Sequence, residues 1–387
     1  QSKLYSPDSV TNDYFGFSTA VWEDTVAVGA YATVAFGSSD RDVTGSVFIY
    51  DNHDVYNTRL VIPDADESFF GYSVAIWEDT VVVGAPRASQ QHCDDCGAGY
   101  VYTRYSNGSW IRDADLVAED YIDFHYVGFD VGIYQDVIIV GAPGDKGQKA
   151  NANTGAAYIF SKDASTGRWV YDQKLSIDND QKDDKKHGAE FDHFGSAVAI
   201  FGDYAVTAAY GEEHNTGAVY VYEHQGFWSA KYKLVANDAR EGIFFGYAVA
   251  IHQDIIVVGA YNGDGHWYGA GAAYVFELIG GGVGFQQTSK LVAHDGMSSD
   301  FFGFSVAIFQ NVIVFEGQYS NRGTGAGAAY VFKRSGTAWG QVMKLLPSYA
   351  EAYDHFGVSV STYNEEFIVG ADTADGVVDD TGAVYVF

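Results

Sequence analysis

The sequence predicts an all-β, seven-bladed propeller, and three observations lead to that prediction. First, a phrase that begins with Phe-Gly, or with Val-Gly in its third copy, recurs seven times, with glycines at positions 16, 71, 128, 195, 246, 303 and 357. Second, each unit contains four segments in which residue character alternates with period two, as it does in β-strands. Third, the chain opens with a segment that matches a fourth strand, and its last unit lacks a fourth strand of its own. Four-stranded units that repeat at this spacing form a ring of blades.

The four strands of a unit are predicted from their residues. In the second unit, the run SVAI at 73–76 is the first strand, and the β-branched run VVVGA at 81–85 is the second. A third strand with alternating aromatic residues follows a Gly-Ala pair, as at 218–222, and the fourth ends in Lys-Leu, as at 228–234. Clusters of Gly, Asn and Asp separate the strands. No apolar period of 3.6 residues persists long enough to predict a helix.

The whole chain, residues 1–387, is predicted to be one domain, because a repeat unit buries its apolar face only against its neighbours. The last unit ends on a third strand at 383–387, whereas the chain opens with Lys3-Leu4, which matches a fourth-strand ending. We therefore expect residues 1–8 to supply the outer strand of blade seven and to close the ring. The repeats start near residues 14, 69, 126, 193, 244, 301 and 355.

Three parts of the unit resemble the FG-GAP repeat: Phe-Gly at its start, Val-Gly-Ala-Pro at 83–86 and 140–143, and Gly-Ala-x-Tyr-Val-Phe/Tyr at its end. This is the repeat of the integrin α-subunit propeller and of many secreted propellers, and the resemblance covers all seven units. Integrin-type repeats carry an acidic calcium loop between the first two strands. Here that connection is a short turn, such as 77–80, with too few oxygen ligands for calcium. The chain resembles the branch that lacks these loops, for which the family implies no single activity.

The charge balance limits the possible partners. The chain has 51 Asp and Glu against 22 Lys and Arg, a net charge of −29, so it repels nucleic acid. The longest nearly apolar stretch, 269–285, is Gly-rich and too short to span a bilayer, so direct membrane insertion is not expected. The first residue is Gln rather than Met, which we interpret as a mature chain without its leader or as an expression boundary. We expect a secreted, extracellular or cell-surface protein.

Two local motifs bear on that location. Cys93 and Cys96 are the only cysteines, and in an oxidising compartment they form a small disulfide loop. The alternative is a zinc site, which needs His92 and a further ligand. We predict the disulfide. Asn107 begins the only glycosylation sequon, in a third-to-fourth turn where a glycan points outward, although Asn-Gly is also a good hairpin turn.

The loops on the two faces of the propeller differ. First-to-second turns are short and uniform, whereas second-to-third loops vary in length and chemistry, so we expect ligands on the face that carries the latter, here called the variable face. In the fifth unit, Asp264, His266, Trp267 and Tyr268 form a candidate ligand site, because aromatic residues beside polar groups suit a sugar ring or a peptide. The alternative is that Trp267 folds back into the central channel.

Acidic residues of the variable face have two interpretations. In the seventh unit, Asp372, Asp375 and Asp379 surround Gly376 and form a candidate calcium site, although a solvated loop is the alternative.

Asp residues that recur at one repeat position are predicted to cap turns. The recurring positions are Asp8, Asp64, Asp120, Asp238 and Asp295 after the fourth strand, and Asp13, Asp192, Asp300 and Asp354 before the repeat Phe. A further insertion at 178–191 predicts a lid or flap.

No sequence motif for nucleophilic, metal-assisted or phosphate-binding chemistry is present, so the sequence favours a non-catalytic protein that requires no cofactor. We expect an extracellular recognition or adhesion module that binds glycan or protein through the variable face. One alternative is a self-assembling structural subunit of an extracellular coat, fibre or matrix. Another is a polysaccharide-acting enzyme, which needs carboxylates or a metal converging at the channel mouth.

Overall fold

The computed structural model describes residues 1–8, 11–33, 44–62, 67–89, 93–118, 122–146, 154–177, 191–317, 326–348, 351–376 and 380–387. Within these ranges, 28 strands form seven four-stranded antiparallel sheets in a ring, so the predicted propeller is confirmed. The α-helical segment in the same ranges is α1 (Glu212–Asn215), in which three of the four residues have positive φ. None of the helical structure described is long and apolar enough to cross a membrane.

Blades are numbered in chain order, and the strands of each run outward from the central channel. Blade one contains β2 (Ser18–Trp22), β3 (Thr25–Ala30), β4 (Ser46–Asp51) and β5 (Val55–Leu60). Blade two contains β6 (Ser73–Trp77), β7 (Thr80–Ala85), β8 (Ala98–Arg104) and β9 (Trp110–Leu116). Blade three contains β10 (Val131–Tyr134), β11 (Val137–Ala142), β12 (Ala156–Lys162) and β13 (Trp169–Leu175).

Blades four to seven follow the same order, except that the outer strand of blade seven is the first strand of the chain. Blade four contains β14 (Phe194–Phe201), β15 (Tyr204–Ala209), β16 (Ala218–His224) and β17 (Trp228–Leu234), and blade five contains β18 (Ala248–His252), β19 (Ile255–Ala260), β20 (Ala272–Ile279) and β21 (Gly284–Leu291). Blade six contains β22 (Phe302–Phe309), β23 (Val312–Gly317), β24 (Ala328–Ser335) and β25 (Ala338–Leu345). Blade seven contains β26 (Phe356–Tyr363), β27 (Glu366–Ala371), β28 (Ala383–Val386) and β1 (Ser2–Leu4).

Burial explains why the strands differ in composition. The second and third strands are covered by the neighbouring blades on both faces, so β7 and β8 are β-branched and aromatic and almost wholly buried. The fourth strand is exposed on one face, and β9 accordingly alternates polar with apolar residues. In blades one to six a bulge interrupts the pairing of the third and fourth strands at the same place, which increases the twist of each blade.

The hydrophobic core is divided into seven clusters, each of which lies at a seam between adjacent blades. At five seams a second-strand glycine lies against the carbonyl oxygen of the next blade's repeat glycine. A Cβ added to Gly141, for example, would lie 2.0 Å from the Gly195 oxygen. The same contact joins Gly29 to Gly71, Gly84 to Gly128, Gly259 to Gly303 and Gly370 to Gly16. The Val-Gly-Ala part of the repeat therefore reflects how closely the blades approach.

The ring is closed by the N-terminal strand, as the sequence predicts. Strand β1 pairs antiparallel with β28, and Lys3 lies opposite Tyr385. Leu4 is only 3% exposed and belongs to the seam cluster that joins blades seven and one, which includes Phe48 and Val384. The N-terminal strand thus completes blade seven with backbone pairing and with apolar burial.

Truncating the side chain of Leu4 tests this closure. We expect Leu4→Ala to lower the free energy of unfolding by about 2–5 kcal/mol, because it leaves a cavity in the seam cluster. Urea unfolding followed by tryptophan fluorescence measures the change. The control is Val342→Ala, which truncates a side chain that is 53% exposed on the outer strand β25 and should change stability by less than about 0.5 kcal/mol. Equal stability of the two variants would contradict the closure.

Candidate functional site

The central channel contains a cavity of about 300 Å³ that is lined by the start of the innermost strand of each blade. Five aromatic side chains form its upper layer: Phe17, Tyr72, Phe129, Tyr247 and Phe304. Neighbouring rings are in contact, with centroids 5.0 Å apart for Phe17 and Tyr72 and 4.6 Å apart for Tyr247 and Phe304. First strands start at the variable face, because the fourth-to-first connections lie there. The cavity is therefore the variable-face end of the channel.

Below the aromatic layer, hydroxyl groups bond adjacent blades to each other. The Ser18 hydroxyl donates to the Gly71 oxygen at 2.8 Å, and the Ser359 hydroxyl donates to the Gly16 oxygen at 2.8 Å. Ser73 makes the same bond to the next blade. These bonds repeat because each serine stands two residues after a repeat glycine.

Blade three has an aspartate at this position. Asp130 accepts hydrogen bonds from the backbone N–H groups of Val198 at 2.7 Å and Val131 at 3.0 Å. In blade six, Ser305 accepts the equivalent bond from the Val360 N–H at 3.1 Å. Asp130 keeps some exposure to the channel, but burial of its carboxyl group raises the pKa to about 7, against the opposing effect of the two N–H donors.

The other end of the channel is lined by a continuous belt of seven aromatic rings, one from each blade. Each ring contacts the next, with centroid separations from 4.1 to 5.0 Å. The belt consists of Trp22, Trp77, Tyr134, Phe201, His252, Phe309 and Tyr363. Burial lowers the pKa of His252, which keeps this ring neutral at neutral pH. The two ends of the channel therefore differ in polarity.

The loop predicted as a ligand site lies on the variable face between β19 and β20. Trp267 is 65% exposed and Tyr268 is 70% exposed, so Trp267 does not fill the channel. Asp264 accepts from Arg240 at 3.0 Å (Nε) and 2.7 Å (Nη2), and from the Gly269 N–H at 3.0 Å. The Arg240 guanidinium group lies 4.4 Å from the centre of the Tyr268 ring. Arg240, Trp267 and Tyr268 are called the aromatic patch below.

A cleft of about 820 Å³ lies beside this patch, between blades four and five. Its walls include Glu213, His214, Thr216 and Glu241, and Arg240 lines it as well as joining the patch. His214 Nδ1 lies 3.8 Å from a carboxylate oxygen of Glu241. The aromatic patch and the cleft therefore form one continuous surface, and His266 is exposed next to it.

The model of the FG-GAP repeat matches residues 1–50, 58–102, 110–160, 186–222, 228–276, 285–332 and 339–387, which is most of the chain. The chain belongs to the FG-GAP repeat family. No curated protein matches it in sequence. Sqt1 of Saccharomyces cerevisiae, a crystal structure, has a similar fold, with a TM-score of 0.51 and 9% identity over 95% of this chain and 82% of that chain. Such low identity shows the fold alone.

The candidate calcium loop lies in the last FG-GAP repeat. Asp372 Oδ1 lies 3.2 Å from Nδ1 of His355, and Asp375 accepts from the Asp380 N–H at 3.1 Å. Asp379 lies outside the described residues. Within the described part of the chain, no three His, Cys, Asp or Glu side chains are grouped as metal ligands. The calcium site stays a prediction.

Cys93 and Cys96 are joined by a disulfide, with Cα atoms 5.8 Å apart. His92, the partner of the alternative zinc site, lies outside the described residues, as do residues 178–190 of the predicted lid. Asn107 is exposed in the turn between β8 and β9, where its side-chain oxygen accepts from the Ser109 N–H and hydroxyl. This turn is on the face opposite the aromatic patch. Glycosylation at Asn107 stays a prediction.

The recurring aspartates have two roles, of which the sequence predicted one. Asp300 caps a turn by accepting from the Met297 N–H at 2.8 Å, and Asp354 does the same. The aspartates after the fourth strand instead form ion pairs with a basic residue of the following blade. These pairs are Asp238–Lys290, Asp295–Lys344 and Asp8–Arg59. Asp64 and Asp120 lie outside the described residues. Charge pairing between blades, rather than turn capping, explains this second set.

Sequence reasoning missed three residues of the variable face. Arg240 comes from the loop before blade five, and no sequence signal linked it to Asp264. Asp130 and Glu316 depart from the FG-GAP repeat, since Asp130 stands where other blades have Ser or Ala and Glu316 stands where they have Gly or Ala. Glu316 is fully buried without a hydrogen-bond partner among the described residues, and burial raises its pKa well above the usual range. A repeat alignment shows both departures but not their surroundings.

The raised pKa of Asp130 predicts a specific pH dependence of stability. Between pH 4 and pH 7 the folded protein holds a proton on Asp130 that the unfolded chain releases, so the contribution of this residue to stability is lost as the pH rises. We expect Asp130→Ser, which restores the residue used in blade six, to gain up to about 4 kcal/mol relative to the parent between pH 4 and pH 8. Urea unfolding of both proteins at several pH values measures this difference. A difference that does not change with pH would contradict it.

Proposed function

We propose that this FG-GAP propeller is a non-catalytic, extracellular recognition module that binds protein or glycan through its variable face. The propeller fold and the FG-GAP repeats are consistent with a protein-interaction module. The aromatic patch is the principal contact in this proposal, and the neighbouring cleft adds polar contacts.

The observation that carries the proposal is the pair of exposed aromatic side chains at Trp267 and Tyr268. Aromatic residues and arginine dominate the binding energy of many interfaces, because they bury a large area with few rotatable bonds. The ion pair between Arg240 and Asp264 fixes the loop before any ligand arrives, which lowers the entropy lost on binding.

The loop is also supported from the following connection. The Ser298 hydroxyl donates to the backbone carbonyl oxygen of Tyr268 at 2.7 Å, and the Ser299 N–H donates to the backbone carbonyl oxygen of Gly269 at 2.9 Å. Because Asp264 neutralises Arg240, the patch presents an uncharged surface on a strongly acidic protein. An uncharged aromatic surface suits the face of a sugar ring or an apolar protein side chain.

Two features support an extracellular location. A disulfide such as Cys93–Cys96 persists in an oxidising compartment. The exposed sequon at Asn107 is on the face opposite the aromatic patch, so a glycan there would leave the patch accessible.

Array binding with matched variants tests the proposal. The parent protein is applied to a glycan array and to an array of extracellular-matrix proteins, followed by the double variant Trp267→Ala/Tyr268→Ala. We expect the double variant to lose at least tenfold in affinity for any ligand found, because it removes the interface anchors. The control is Phe227→Ala, which removes an aromatic side chain that is also 65% exposed but lies in a third-to-fourth turn of the opposite face.

The two arrays separate glycan from protein as the ligand. Binding that survives the double variant, or that Phe227→Ala weakens equally, would contradict the assignment to the aromatic patch. No binding on either array would contradict the proposed function.

A further inference from the structure

We propose that the variable-face end of the central channel is a second binding site, and that it takes an alkylammonium group, either the end of a lysine side chain or a small free amine. This site is lined by all seven blades, with its aromatic and acidic side chains from blades one, two, three, five and six, and it does not include the aromatic patch. It goes beyond the proposed function and does not depend on it.

The cavity has the size and the lining for such a group. Its volume of about 300 Å³ is at the lower end of the range for small-molecule sites. The residues that line it are all described, and none of them is Lys or Arg. No positive charge in the lining therefore competes with an incoming cation.

Aromatic side chains from five of the seven blades line the entrance. Tyr72 contacts Phe17 and Phe129, with centroids 5.0 and 5.1 Å away, and Tyr247 contacts Phe304 on the other side. The faces of aromatic rings attract ammonium groups, most strongly where water is excluded. This aromatic lining is therefore a suitable environment for an alkylammonium group and for the methylene groups next to it.

One lining residue supplies a negative charge once the pH exceeds its pKa of about 7. Asp130 stands in the layer directly below the aromatic rings, and no Lys or Arg pairs with it in the described part of the chain. Each of its oxygens accepts one backbone N–H, which fixes the carboxylate and leaves lone pairs for a further donor. The equivalent residues are Ser18, Ser73, Ser305 and Ser359, together with Ala197 and Ala248. The charge is therefore specific to blade three and is not required by the repeat.

The surroundings increase the negative potential at this site. The net charge of −29 adds a field that concentrates cations in clefts.

The chemistry favours an ammonium group over a metal ion. Calcium requires six to eight oxygen ligands, and the described residues contain no group of three metal-ligating side chains. One carboxylate below several aromatic rings is instead the combination that recognises alkylammonium groups.

Isothermal titration of the full chain at pH 8, where Asp130 is ionised, tests the site with n-butylammonium chloride and with a capped lysine tripeptide. The neutral controls are n-butanol and the same tripeptide with norleucine in place of lysine. We expect n-butylammonium to bind and butanol not to bind, and we expect Asp130→Ser to weaken the amine at least tenfold. Asp130→Asn, which keeps the size of the side chain, serves as a second variant in case Asp130→Ser fails to fold.

The outcomes distinguish lysine side chains from free amines as the ligand, and they distinguish this proposal from the proposed function. Binding of both cationic probes assigns the site to lysine side chains, and binding of n-butylammonium alone assigns it to free amines. The Trp267→Ala/Tyr268→Ala variant should bind n-butylammonium as the parent does, so failure of the proposed function leaves this result unchanged. Absence of n-butylammonium binding, or unchanged affinity in a folded Asp130 variant, would overturn the proposal.

Discussion

The contact between a glycine of one blade and the repeat glycine of the next is the constraint on which the rest of this structure depends. At Gly84 and Gly141 there is no room for a Cβ, because the carbonyl oxygen of the next blade occupies that space. Blades this close can exchange hydrogen bonds such as Ser73 to Gly128. The same approach brings seven first strands around one channel. Seven seams, five of them of this kind, hold the fold together in place of a single central core.

At two seams a larger residue replaces the second-strand glycine, and these seams show where the space between blades allows a side chain. Blade four has Ala208 at the equivalent position, and a Cβ added to Gly246 would lie 3.0 Å from the Ala208 Cβ. Blade six has Glu316, whose side chain occupies the space that a Cβ on Gly357 would need. A buried carboxyl group without a partner is unfavourable, and protonation lowers that cost. The ring therefore tolerates larger residues where the partner glycine leaves space, and blade six uses this space for an acidic group.

The sequence predicts the fold more completely than it predicts the site, for a physical reason. Blade number, strand order and the pairing of Lys3 with Tyr385 follow from a period that seven copies repeat. The exposure of Trp267 follows from a loop that departs from the period. Arg240 could not be predicted, because it reaches Asp264 from another loop. Asp238 and Lys290 are 52 positions apart in the chain, and their pairing depends on the contact between two blades. Sequence patterns give local structure, whereas these contacts depend on the seams.

The most direct test of this account is the stability of a propeller with a methyl group placed in a seam. Gly141→Ala should lower the free energy of unfolding by at least about 1–3 kcal/mol, because the added Cβ would overlap the Gly195 oxygen. Ala208→Gly provides the comparison, since its seam already holds a methyl group, and it should cost only about 1 kcal/mol or less. Urea unfolding of the two variants gives both values. A Gly141→Ala protein as stable as the parent would show that the blades do not approach at the glycines, and the account of the channel would then be wrong.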